Sequence, residues 1–226
     1  MVFKSLSAIA ALLILSACSG SGSSSLVAHS GTNSPIHNIH VSPTWQAHSS
    51  KRVQPGPGDL AAFAFATKTS SRTLVTANKP SSNPLLGSHP GETVTAVVSI
   101  AGVTGTFIYS GEPSCGNTIS NVRLFFTSTG GPFAYTDYWW SDVAPGSATL
   151  DSFFITGTQT LTAVLDPTTA WSDWNGQPSS ANAAAFTAAA SSITSIGLSF
   201  GGGCFFENGV GTSDGSGVFT LQSFAD

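Results

Sequence analysis

Charge is scarce in this chain, and histidine is missing where a fold is expected. Only 8% of its 226 residues are Asp, Glu, Lys or Arg. The last histidine is His89, and after Glu112 the one basic residue is Arg123. Each shortage removes a class of activity. A Ser/His/Asp or Cys/His hydrolase needs a histidine beside its nucleophile, and the C-terminal half has none to give. Nucleic-acid binding needs a stripe of Lys and Arg against phosphate, whereas the residues from Glu112 onward hold nine acids against that single base. Gly201-Gly202-Gly203 is followed by neither Lys-Ser/Thr nor a helix start, so no phosphate-cradling loop is expected there. No internal repeat points to a propeller or β-helix. No apolar run reaches the about 20 residues that span a bilayer's hydrocarbon core.

One short apolar run is present at the N-terminus. Lys4 supplies a positive start, residues 8–15 are apolar, and Ser16-Ala17 are small residues before Cys18. Leu15-Ser16-Ala17-Cys18 resembles the bacterial lipobox at every position. The resemblance covers residues 1–18 and implies removal of 1–17 as a signal peptide and acylation of Cys18, with the membrane as partner through the lipid. By resemblance to Gram-negative lipoproteins, a residue other than Asp after the Cys, here Ser19, implies a cell-envelope location at the outer membrane. An ordinary secretory signal is the alternative reading of the same residues.

Composition then divides the chain. Residues 19–25 are almost entirely Ser and Gly, and 26–58 stay rich in Ser, Pro, His and Gly without a hydrophobic period. The stretch 18–58 therefore reads as a flexible tether, with His29, His37, His40 and His48 as solvated linker residues. Residues 59–91 read as edge strands or linker, and 92–226 as the folded domain. Its length, about 135 residues, suffices to bury roughly two-thirds of the chain's surface.

Within that domain the period is mostly two. Val94, Ala96, Val98 and Ile100 fall on one face of 93–100, and Thr93, Thr95, Val97 and Ser99 on the other. Gly102 and Gly105 separate this run from 106–109, and the two predict a hairpin. Segments 121–128, 133–140, 148–156, 160–166, 193–200 and 217–224 continue in kind, each bounded by Gly, Pro, Asp or Ser. In the last, Val218, Thr220, Gln222 and Phe224 oppose Phe219, Leu221 and Ser223. About eight short strands predict an all-β antiparallel sandwich, jelly-roll-like. Alanine-rich 181–190, around Phe186, predicts one short helix.

Aromatics and carboxylates carry the candidate chemistry. Phe133-Ala134-Tyr135-Thr136-Asp137-Tyr138-Trp139-Trp140 puts Tyr135 and Trp139 on one face of a strand and Tyr138 and Trp140 on the other. Only one face can be core, and rings on the other, with Asp and Asn nearby, suit stacking on sugars. Trp171-Ser172-Asp173-Trp174-Asn175-Gly176-Gln177 adds a second cluster in a turn-like context. Tyr138, Trp139, Trp140, Trp171, Asp173 and Trp174 are the candidate ligand residues, and structural packing is the competing reading of the same rings.

Asp137, Asp142, Asp173 and Glu207 would serve a glycosidase only if two of them stood about 5 Å or 6.5–9.5 Å apart across a cleft. Asp142, Asp166, Asp173 and Asp214 also read as turn residues, or as parts of a structural calcium site. Arg123 reads as an ion-pair partner, because an unpaired buried charge is costly. The glycines of 196–209 read as a bulge or a close backbone approach.

Together the strand pattern, Tyr138-Trp139-Trp140, Trp171-Ser172-Asp173-Trp174 and 197–206 resemble the galactose-binding-like and carbohydrate-binding-module jelly rolls of exported bacterial proteins, over 92–226. The resemblance implies a non-catalytic module with carbohydrate as ligand. It matches no family's binding residues one by one. A glycoside-acting hydrolase with paired acids, and a structural or adhesive envelope protein without small ligand, are the alternatives.

If Cys18 takes lipid, Cys115 and Cys204 form an even pair in a disulfide-permissive compartment. Their bridge would close a loop of about 90 residues and stabilise by about 4 kcal/mol in the chain-entropy model. Thiol labelling of the denatured, unreduced exported protein is expected to leave both cysteines unmodified, and labelling after reduction to modify both.

Overall fold

The computed structural model describes residues 45–48, 54–55, 61–69, 73–76, 83–109, 119–128, 132–142, 146–149, 157–202 and 209–225. The expected signal 1–17, Cys18, Cys115, Cys204, Glu207, and His29, His37 and His40 lie outside them. Fourteen strands occur among the described residues. They begin with β1 (Trp45–His48), β2 (Gln54–Pro55), β3 (Ala61–Ala64), β4 (Thr73–Thr76) and β5 (Thr93–Ala101). Next come β6 (Phe107–Tyr109), β7 (Asn121–Thr127), β8 (Tyr138–Ser141), β9 (Ser147–Thr149) and β10 (Thr158–Val164). The last are β11 (Trp171–Asp173), β12 (Ser195–Gly201), β13 (Val210–Thr212) and β14 (Val218–Ala225). One helix, α1 (Ala183–Ala190), lies between β11 and β12, and a 3-10 turn, Tyr135–Asp137, leads into β8.

The strands build an all-β antiparallel sandwich. A seven-stranded sheet runs β1-β4-β12-β7-β8-β11 with β9 also on β7, and a five-stranded sheet runs β10-β5-β14-β3-β2. β6 and β13 make a separate pair. Between the two large sheets lies one core, to which Leu124, Phe126, Ile196, Leu198 and Phe200 contribute from the first and Phe63, Val98, Leu161, Phe219 and Leu221 from the second. Edge-to-face contact joins the layers, as where Phe200 of β12 meets Phe63 of β3 and Phe219 of β14 at 5.4 and 4.9 Å.

β5 buries Val94, Ala96, Val98 and Ile100, as its alternation predicts. β7 and β12 are buried on both faces. β12 achieves this with Ile196, Leu198 and Phe200 inward and the small Gly197, Ser199 and Gly201 between them. The expectation of a close backbone approach holds at Gly202, where a Cβ would overlap the Tyr109 ring. β14 departs from simple alternation. Its register shifts between Leu221 and Ser223, so Gln222 bulges and Phe224 joins Phe219 and Leu221 in the core despite its opposite parity.

Three further points differ from expectation. β5 and β6 do not pair as a hairpin: β5 lies between β10 and β14, and β6 pairs β13. The loop between them is held elsewhere, its Thr104 and Gly105 amides donating to Ser216 Oγ and its Thr104 hydroxyl to Asp214. Strands precede residue 92, as the edge-strand reading of 59–91 has it, but they reach further into the sheet and further back along the chain. β4 sits inside the large sheet between β1 and β12, Phe63 and Trp45 are core residues, and β1 and β2 fall within 18–58, which composition reads as tether. Finally, Trp171–Asp173 is a strand, with the turn only beginning at Trp174.

Helix α1 is nearly all alanine, the best helix former. It inserts one large side chain into the core. Phe186 is fully buried and packs on Trp139, Phe126 and Trp171 with centroids 4.9, 5.5 and 5.9 Å away. Truncating it removes a ring enclosed by three others and opens a cavity at their centre. Phe186→Ala is expected to cost about 3–5 kcal/mol, read from denaturant or thermal unfolding, whereas exposed Ala184→Ser should cost under about 1 kcal/mol.

Candidate functional site

Two aromatic groups flank the seven-stranded sheet. β8 alternates, so Trp139 points into the sandwich while Tyr138 and Trp140 point out. β8 pairs β7 with Phe125 opposite Trp140 and Phe126 opposite Trp139, which extends each set across two strands. β11 adds Trp171 to the inner set, and Trp174, just beyond it, to the outer.

The inner tryptophans are structural. Trp139 is 0% and Trp171 1% exposed, and their indole N–H groups donate to the Thr136 and Val164 carbonyls, each at 2.8 Å. A ring with no exposed face cannot stack on a sugar, so the fold withdraws Trp139 and Trp171 from the ligand set. Asp173 is withdrawn for another reason. It is 2% exposed, and its carboxylate accepts from the Asn175 and Gln177 amides, both at 2.9 Å, and from Asn182 Nδ2 at 3.2 Å. Asp173 therefore shapes the turn that presents Trp174 and ties it to the start of α1.

On the outer face, Trp140 is buried against Phe125, donates through Nε1 to Ser199 Oγ at 3.0 Å, and lies 6.0 Å from the Arg123 guanidinium carbon. Arg123, itself buried, pairs with Asp142 at 2.9 Å, and the Ser172 hydroxyl donates to the same carboxylate oxygen at 2.6 Å. This is the ion pair expected of a lone base. Burial pushes the Asp142 carboxyl up from its ordinary value, and Ser172 and Arg123 pull it back down.

The accessible part of the outer face is a cluster of rings. Tyr138 and Trp174 are half-buried, and Phe133 and Tyr135 are 57% and 49% exposed. Phe133 links the group, with Tyr135, Tyr138 and Trp174 at 5.3, 5.6 and 5.6 Å. Tyr138 and Trp174 touch at 5.1 Å. The amide side chains of Asn175 and Gln177 stand exposed on the adjoining turn. Phe133 and Tyr135 are absent from the sequence-derived ligand set, although Gly130-Gly131-Pro132 just before them signals a loop, where large rings stay near solvent. On the other side of the same segment a groove of about 380 Å³ runs along α1, lined by Pro132, Ala134, Thr136, Asp137, Ala185 and Ala188 among others.

The candidate carboxylates that can be placed each have a structural partner. Asp142 and Asp173 lie on opposite faces of the sheet, and Asp173 is enclosed by its three donors. Asp137 accepts from the Ala134 amide and lines the groove. Among the described residues no three His, Cys, Asp or Glu side chains gather as a metal site would require. Two other described acids fasten turns and loops. Asp166 accepts from the Thr168 amide and hydroxyl, and Asp214 from the hydroxyls of Ser216 and Thr104 and the Ser216 amide.

Those donors hold Asp214, and to a lesser degree Asp166, below the usual carboxylate value of 3.8, with the Ser216 and Thr168 hydroxyls as the leading causes. A depressed carboxyl adds stability above its unfolded value and loses it as pH falls through the folded one. Raised Asp142 has the opposite sign, its contribution being largest at low pH. The melting temperature of wild type is expected to fall below about pH 4, where the unfolded chain takes up protons that the depressed acids of the folded state do not yet accept. Asp214→Asn should lower it at pH 7 and show a shallower acid limb in scans from pH 2 to 7. An acid limb as steep as that of wild type would contradict the assignment.

No protein-family model, no curated protein and no solved structure matches this chain.

Proposed function

We propose that this chain is a bacterial cell-envelope lipoprotein, anchored through acylated Cys18, whose β-sandwich is a non-catalytic module that binds carbohydrate. The observation that carries the reading is the cluster of Phe133, Tyr135, Tyr138 and Trp174, in which Phe133 and Tyr135 are exposed and Tyr138 and Trp174 half-buried, while Trp139, Trp171, Phe126 and Phe186 lie in the core. Exposed rings beside exposed amides match the two faces of a sugar: C–H groups that pack on apolar rings, and hydroxyls that bond to Asn175 and Gln177. The acids of the C-terminal half favour neutral sugars over anionic ones. Of the residues expected from sequence, Tyr138 and Trp174 keep this role, and Trp140 supports them from beneath.

The test is binding to a glycan array and to purified peptidoglycan. Trp174→Ala is expected to weaken binding about tenfold, the scale of about 1.4 kcal/mol, with an unchanged circular dichroism spectrum. Failure of the wild-type protein to bind any glycan would refute the carbohydrate reading. The anchor is tested separately. Cys18→Ser is expected to abolish labelling by a palmitate analogue and move the protein from the membrane fraction to the soluble one.

A further inference from the structure

The rings of the patch are far from coplanar, and that bears on which physical form of carbohydrate they fit. Phe133 stands at 86° to Tyr135 and 89° to Trp174, with centroids 5.3 and 5.6 Å apart. Tyr138 stands at 67° to Trp174 at 5.1 Å. Edge meets face at these distances, an ordinary T-shaped contact, so the rings fill the space between themselves. An onium ion held between ring faces is excluded on the same ground, since it needs each centroid within about 6 Å of a cation that has no room to enter. A ligand reaches only the outward sides of the rings, and Phe133, the ring that joins the group, stands across the planes of both Tyr135 and Trp174.

A crystalline polysaccharide offers one plane of sugar faces. Adsorption to it requires several rings lying in that plane at once, and in each perpendicular pair here one ring would meet the plane edge-on. A single dissolved chain has no such constraint. It turns about its glycosidic bonds, lays one pyranose on Tyr135 or Phe133, and brings neighbouring hydroxyls to Asn175 and Gln177. The three centroids Tyr135, Phe133 and Trp174 follow one another in steps of 5.3 and 5.6 Å, which limits contact to a short stretch of chain.

We infer that the patch takes soluble, single-chain glycan, two or three sugar units at a time, and does not adsorb to crystalline polysaccharide. The inference rests on the carbohydrate reading above. Its test sets the mature full-length protein against microcrystalline cellulose and chitin in pull-downs, and against soluble cello-, chito-, xylo- and manno-oligosaccharides of increasing length in calorimetry. A soluble series is expected to bind with affinity that stops rising at about three units. Phe133→Ala and Tyr135→Ala, both at exposed positions, should each weaken that binding about tenfold without changing the melting temperature. Adsorption to either crystalline polymer that is lost in Trp174→Ala overturns the inference and leaves the carbohydrate reading standing. Affinity that keeps rising to six units, or is indifferent to both substitutions, also overturns it. Binding to no glycan in either form removes the carbohydrate reading and this inference with it.

Discussion

Trp139 lies wholly buried 4.9 Å from Phe186, its indole N–H satisfied by the Thr136 carbonyl, and the arrangement of the outer face depends on that seat. A strand alternates its side chains, so anchoring one residue of β8 fixes the direction of its neighbours. With Trp139 inside, Tyr138 and Trp140 must be outside. The same anchor sets the register of β11, where Asp173 pairs with Trp139 and Ser172 with Trp140, and thereby places Trp174 beside Tyr138. A shift of one residue would bury the outer rings and expose the inner ones.

The seven-stranded sheet is filled on both sides at β7 and β12, which asks for unusual side chains between the apolar ones. β12 answers with Gly197, Ser199 and Gly201, small enough for Arg123 and Trp140 to lie close to the backbone. Ser199 then accepts from the Trp140 indole, and Arg123 finds Asp142. The polar groups brought under cover are thus paired with one another, which is the condition for burying them at all.

Few charges also mean that loops are fastened by hydroxyls and carboxylates acting on backbone amides. Asp166, Asp173 and Asp214 each accept from amides in their own turn, and Ser216 and Ser213 receive amides of the 104–106 loop. Such contacts are short-range and act on turn geometry. Among the described residues, Asp166, Asp173 and Asp214 hold their turns through these contacts.

Period-two runs such as 93–100, the alanine stretch around Phe186 and the Gly/Pro/Asp boundaries made the sandwich class and the helix legible, because alternation and propensity act between near neighbours. The isolation of Arg123 likewise foretold its ion pair. Nothing local could choose which face of 138–140 is core, since both carry large aromatics. That choice rests on Phe186, distant in sequence. The pairing of β6 with β13, the inclusion of β4 in the large sheet, and the Gln222 bulge were equally hidden, being partnerships between segments far apart along the chain. The sequence by itself determined an antiparallel β protein, poor in charge and rich in turns, with aromatics enough for two faces. Tertiary structure decided which rings became core and which stayed at the surface, because burial is a property of what packs on a side chain, and its own segment does not supply that partner.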